Sequence, residues 1–86
     1  MQGDVFRAIS DPSRRQMLDM LARGDCTVTA LTEPFDMSQP AVSKHLRVLR
    51  EAGLVEERKI GRHRHYRLSP HPLLEVASWI DHYRAF

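Results

Sequence analysis

The feature that most restricts this chain is a change of period at Gly53. Before it, Val42, Leu46 and Leu49 recur at i, i+4 and i+7, the spacing of one helix face. After it, Leu54 to Ile60 and Arg64 to Leu68 alternate as strands do, with Gly61 between them. A turn centred on Gly61 and Arg62 sets Val55 opposite Leu68, Glu56 opposite Arg67 and Lys59 opposite Arg64, so the hairpin has an apolar base and a basic tip. A helix feeding straight into a hairpin occupies the middle of a chain of only 86 residues. At that length the folded state hides roughly 64% of the surface of the extended chain. One modest core is all it can build, and residues 1–86 are expected to form a single domain.

The flanking segments read as helices. Asp4 precedes Val5, Phe6 and Ile9, which suit a short opening helix. Asp11-Pro12 is a helix start, since the carboxylate accepts from free amides and proline fits the first turn. Met17, Leu18 and Leu21 then form its apolar stripe, and Gly24 is placed to end it in a left-handed conformation. Thr27 and Val28 suit a brief strand, Thr29 the cap of a very short third helix through Ala30, Leu31 and Glu33, and Pro34 its end. Ser38 or Gln39 opens the fourth helix, which runs to about Ala52. Its face opposite the apolar stripe carries Pro40, Ser43, Lys44 and Arg47. Ser69-Pro70-His71-Pro72 opens a last helix bearing Leu73, Val76, Ala77, Ile80 and Tyr83 at helical spacing. With Trp79 and Phe86 added, that helix is more apolar than a domain edge needs, which points to a partner surface.

Charge is segregated along the chain. Between Ser38 and Pro70 eight Lys and Arg face three Glu, whereas the first 37 residues hold four Arg against six acidic residues. Such a basic segment is the footprint of a surface that meets phosphates, and equally of a solvated basic face. No apolar run approaches the roughly 20 residues that cross a bilayer, and the N-terminus lacks a basic stretch followed by an apolar one, so a soluble cytoplasmic protein is expected.

Two helices joined by a tight turn, the second exposing a basic stripe and leading into a basic-tipped hairpin, describe a winged helix-turn-helix: mainly α, about five helices, with a small β-hairpin wing. A helix fits the major groove, where base edges differ in their donors and acceptors. Ser38, Gln39, Pro40 and Ser43 lie at or near the start of the fourth helix. Lys44 and Arg47 sit one turn further on, His45 lies beside the core stripe, and Arg62 and Arg64 are at the hairpin tip. These nine are the candidate DNA-contacting residues. For His45, half-buried packing is the equal alternative.

The sequence resembles the ArsR/SmtB-type transcriptional regulators of bacteria over nearly its whole length. The segment from Asp11 to Leu18 is similar to that family's opening of the second helix. The segment from Ser38 to Val55 is similar to its recognition helix and exit. Gly61-Arg62 and Tyr66-Arg67-Leu68 are similar to its wing. The resemblance implies a homodimer paired through the first and last helices, bound to an operator and repressing transcription. Another class remains open, a winged-helix module that binds protein through the last helix and wing, as does a regulator with an effector of unknown chemistry.

Metal-sensing members of that family often carry a Cys-x-Cys pair in the third helix, where this chain has Ala30-Leu31-Thr32. Others use Asp-x-His and His-x-x-Glu, whereas His71, Glu75, Asp81 and His82 here fall in a different order. No metal site of the family type and no cofactor are therefore expected. His63 and His65 share a strand face, but a solvated wing tip accounts for them. Cys26 is expected to be a small core residue, its thiol unreactive beside Asp25. Trp79 and Tyr83 are assigned to a dimer seam. Arg14 and Arg15 oppose the dipole of the second helix, which suggests a phosphate or an acidic partner. Ser43 and His45 are two apart on one helix and do not face each other, so no catalytic set is found and the chain is not read as an enzyme.

Overall fold

The computed structural model describes residues 4–86, so residues 1–3 of the expected domain lie outside the described residues. The elements run α1 (Val5–Ala8), α2 (Pro12–Ala22), β1 (Cys26–Thr27), α3 (Val28–Thr32), α4 (Gln39–Glu51), β2 (Val55–Ile60), β3 (His63–Leu68) and α5 (Leu73–Asp81). The expected winged helix-turn-helix is present, with α3 and α4 as its helix pair and β2–β3 as the wing.

Local chemistry explains most boundaries. Asp4 accepts from the Phe6 amide at 2.9 Å and starts α1. Asp11 accepts from the Ser13 and Arg14 amides at 2.8 and 3.1 Å and starts α2, with Pro12 in the first turn. Gly24 follows the C-cap Arg23 with a φ of +150°, in the positive range that favours glycine, and ends the helix as expected. Two expectations on the following segment are corrected. The strand before α3 is Cys26–Thr27, and it is the Thr27 hydroxyl, not that of Thr29, that accepts from the Ala30 amide at 3.1 Å.

The end of α4 also follows from one residue. Gly53 has a φ of +77°, its N–H donates to the Arg50 carbonyl at 2.9 Å, and the Leu54 N–H donates to that of Leu49 at 3.0 Å. This is the Schellman arrangement, which turns the chain sharply from helix into strand with Leu49 and Leu54 both fully buried. The sheet has the order β1-β3-β2, antiparallel throughout. The hairpin register is the expected one: Val55 faces Leu68, Glu56 faces Arg67 and Lys59 faces Arg64. Gly61, at a φ of +61°, is the first of two loop residues, the position where a II′ hairpin turn requires glycine.

The core draws on every element except β1 and α5, with Met17, Leu31, Val42, Leu46, Leu49 and Leu54 its largest fully buried side chains. Helix α5 has no buried residue; Leu73 and Val76 are half-buried against the core. Among the described residues every buried polar side-chain atom has a hydrogen-bond partner.

Asp11 ties the start of α2 to pH. Burial alone would raise its carboxyl, but the Arg14 and Ser13 amides, with the charges of His45 and Arg14, hold it below its ordinary value of 3.8. A lowered folded-state value stabilises the fold above the unfolded value and stops doing so as pH falls through the folded one. Asp11→Ala should therefore lose about 1 kcal/mol at pH 7 in urea unfolding. The difference from wild type should shrink in acid below 3.8.

Candidate nucleic-acid interface

The site is assembled around α4. The Ser38 hydroxyl accepts from the Ala41 amide at 3.2 Å and caps the helix, so of the two expected starts Ser38 is the cap and Gln39 the first helical residue. Pro40 follows, where its missing N–H leaves no bond unmade. Val42, Leu46 and Leu49 point into the core, and the helix can bury only one stripe. Gln39, Pro40, Ser43, Lys44 and Arg47 are consequently left exposed on the other side.

The wing folds back toward this exposed face. Gln39 and Ser43 of α4 line one cleft together with Thr29 of α3 and Arg62, His63 and Arg64 of the hairpin. Ser43 also lines a second cleft with Arg47, Arg50, Glu57, Arg64 and Tyr66. Six of the nine candidates, Gln39, Ser43, Arg47, Arg62, Arg64 and, as the cap of α4, Ser38, are thus on or beside one concave, mainly polar surface. Pro40 and Lys44 are exposed on α4 but line neither cleft.

The cations differ in what holds them. Among the described residues, Lys44 and Arg62 have no carboxylate within ion-pair distance. Arg47 Nε lies 3.5 Å from Glu51 Oε2 in a pair one helical turn apart, with 72% of the arginine side chain exposed. Arg64 lies 3.9 Å from Glu57 and stays 63% exposed. Exposed pairs of this kind contribute about 0.3–0.5 kcal/mol and readily exchange partners.

His45 is placed differently from the other eight. It is half-buried, and its Nδ1 lies 3.1 Å from Arg14 Nη1. Because a guanidinium only donates, Nδ1 is the acceptor, and the ring is turned toward α2. Arg14 also donates through Nε to the Ala8 carbonyl at 2.7 Å and through Nη2 to that of Arg7 at 3.1 Å. Arg15 donates to the Ile9 carbonyl at 2.7 Å. The two arginines that oppose the dipole of α2 therefore satisfy the carbonyl end of α1, where cations are favoured, rather than standing free for a phosphate.

Three residues of this surface escaped the sequence reading. Thr29, expected as a cap, instead lines the first cleft. Arg50 and Glu57 were counted only as charges, yet they pair across the junction of α4 and β2. The hairpin register was the available signal for Glu57, since it sets that residue opposite Tyr66. The rings of His63 and His65 stand 6.5 Å apart, and among the described residues no three metal-ligating side chains come together. Burial raises the Cys26 thiol, and Asp25 adds to the effect, which keeps it protonated and slow to react.

Residues 11–57 match the family profile described as bacterial regulatory protein, arsR family, more than half of the chain. The chain belongs to the ArsR family. It is 38% identical over 77 residues to the transcriptional repressor SdpR of Bacillus subtilis, covering 90% of this chain and 86% of that protein. It is 41% identical over 78 residues to the arsenic resistance transcriptional regulator ArsR1 of Pseudomonas putida, covering 90% of this chain and 58% of that one. The fold matches an ArsR-like transcriptional regulator from Rhodococcus sp. RHA1 with a TM-score of 0.83 and 36% identity, over 94% of this chain and 74% of the other. This ArsR-family chain is accordingly a DNA-binding transcriptional regulator and not an enzyme. No helix among its described residues is long and apolar enough to cross a membrane.

The two kinds of placement separate under mutation. Lys44→Ala, which removes an unpaired exposed side chain, should leave the melting temperature within about 4 °C of wild type. His45→Ala strands one Arg14 donor in a part-buried setting and should destabilise by about 1 kcal/mol. A calorimetric scan of both variants distinguishes them.

Proposed function

We propose that two copies of this chain form a homodimer that represses transcription in the cytoplasm by binding an inverted-repeat operator in double-stranded DNA. The observation that carries this reading is the concave surface described above, where the Gln39 amide and Ser43 hydroxyl of α4 share one cleft with the arginines of the hairpin tip. In it, α4 enters the major groove. Ser38, Gln39, Pro40 and Ser43 lie closest to base edges and neighbouring phosphates, Lys44 and Arg47 neutralise the backbone or reach a guanine, and Arg62 and Arg64 grip the flanking strand. His45 acts from behind, holding α4 against α2 through Arg14.

The homodimer part rests on the far side of the molecule. Leu74, Trp79, Ile80, Tyr83 and Phe86 are all about half exposed or more. Trp79 packs edge-on against Phe6 of α1 at 5.7 Å and against Tyr83 at 5.4 Å, so α1 and α5 present a joint apolar face. A second copy of the same face covers it symmetrically. Two copies of α4 then sit about 34 Å apart, one turn of duplex.

The DNA reading is tested with a duplex selected from a random pool by the protein itself. Lys44→Ala and Arg47→Ala should each weaken binding, and Lys44→Ala should lower the slope of log K against log salt by about 0.9, one phosphate's worth. A wild-type protein with no preference for the selected duplex over random sequence would overturn the reading in favour of a protein-binding module. Ile80→Glu should yield a folded monomer in sedimentation and footprint poorly; a folded, fully binding monomer would overturn the dimer.

A further inference from the structure

On the surface that faces DNA in the proposed function stands one carboxylate that phosphates would repel, Glu57. It shares the inner face of the hairpin with Val55, Lys59, Arg64, Tyr66 and Leu68, which alternation and register place on one side of the sheet. Its side chain is only 21% exposed, against 59% and 60% for Glu51 and Asp81, whose partners lie three or four residues away along the chain. Donors from two other elements converge on it. Arg50 Nη1 of α4 binds Oε2, the Tyr66 hydroxyl of β3 donates to the same oxygen at 3.2 Å, and Arg64 Nη1 of β3 lies 3.9 Å from Oε1. The Tyr66 side is fixed: the residue is 4% exposed. Burial, then the Glu57 charge, raises its phenol and keeps it a donor.

We propose that Glu57 is a positioning residue for sequence discrimination, which locks the angle between hairpin and α4 and holds Arg50 and Arg64 back from indiscriminate capture of phosphate. The proposal rests on the DNA-binding reading above. Two consequences follow from the one carboxylate. The hairpin tip and the start of α4 meet a duplex in a fixed relative pose, so a sequence that fits one fits the other. The two guanidiniums enter the encounter with one of their two charges compensated, which lowers the sequence-independent attraction that every duplex exerts.

The test compares the duplex selected by the wild-type protein with unselected random duplex, across a salt titration. Glu57→Gln should bind random duplex about fivefold more tightly, with a salt slope steeper by about 0.9. Its preference for the selected duplex over random should fall about fivefold or more. Tyr66→Phe leaves every charge in place and removes only the phenol's bond; its preference should fall about threefold with the salt slope unchanged, and it decides the matter if the glutamine variant does not fold. Folding of both is checked by thermal melting without DNA. If Glu57→Gln strengthens both duplexes by the same factor, or if Tyr66→Phe discriminates like wild type, Glu57 is only one more surface charge and the proposal falls while the DNA-binding reading stands. A wild-type protein that shows no preference at the outset overturns both.

Discussion

Everything on the functional side of this molecule depends on the burial of one stripe of α4. Val42, Leu46 and Leu49 are removed from water almost completely. Burying side chains of this size contributes roughly 1.5–3 kcal/mol each, which is large against the net stability of a small domain. That burial fixes the helix rotation about its own axis. Once it is set, Gln39, Ser43, Lys44 and Arg47 have no choice but to face outward, and the Schellman turn at Gly53 sends the hairpin back beside them. The exposed surface is the remainder left when the core is satisfied.

The charges then divide by what has already claimed them. Counted along the chain, the stretch from Ser38 to Pro70 is strongly basic. In space two of these cations are taken up internally: Arg50 by Glu57, and Arg67 by Asp25, which comes from the acidic first part of the chain at 3.2 Å. Arg14 and Arg15 are likewise committed to the carbonyls ending α1. Among the described residues Lys44, Arg58, Lys59 and Arg62 remain openly available, with Arg47 and Arg64 held by loose pairs. Salt dependence will follow this smaller set.

The elements most legible in the sequence were those whose cause is local. Asp11-Pro12, Ser38 and Gly53 act on amides or carbonyls within a few positions, and the hairpin register followed from one glycine and strict alternation. The misreadings have a common origin in contacts between distant segments. Thr27 and Thr29 are chemically equal as caps, and only the pairing of Cys26 and Thr27 with β3 decides between them. Arg14 and Arg15 looked misplaced because the acceptors that justify them belong to a different helix. His45 was legible as a residue beside the core stripe, but its partner lies 31 positions away. Glu57 was marked only by the hairpin register, which sets it opposite Tyr66, while its partner Arg50 lies on α4.

The sheet leaves β2 with one side unpaired, and an open edge is where strands of separate molecules can join and grow into fibrils. Along that edge runs Glu56-Glu57-Arg58-Lys59, two charges of each sign in succession. A second copy laid alongside in parallel and in register sets like charges together, and only particular offsets or an antiparallel alignment match them. In the proposed homodimer the apolar face of α5 is the side that pairs, and the charged edge of β2 disfavours growth of that closed pair into an endless ribbon.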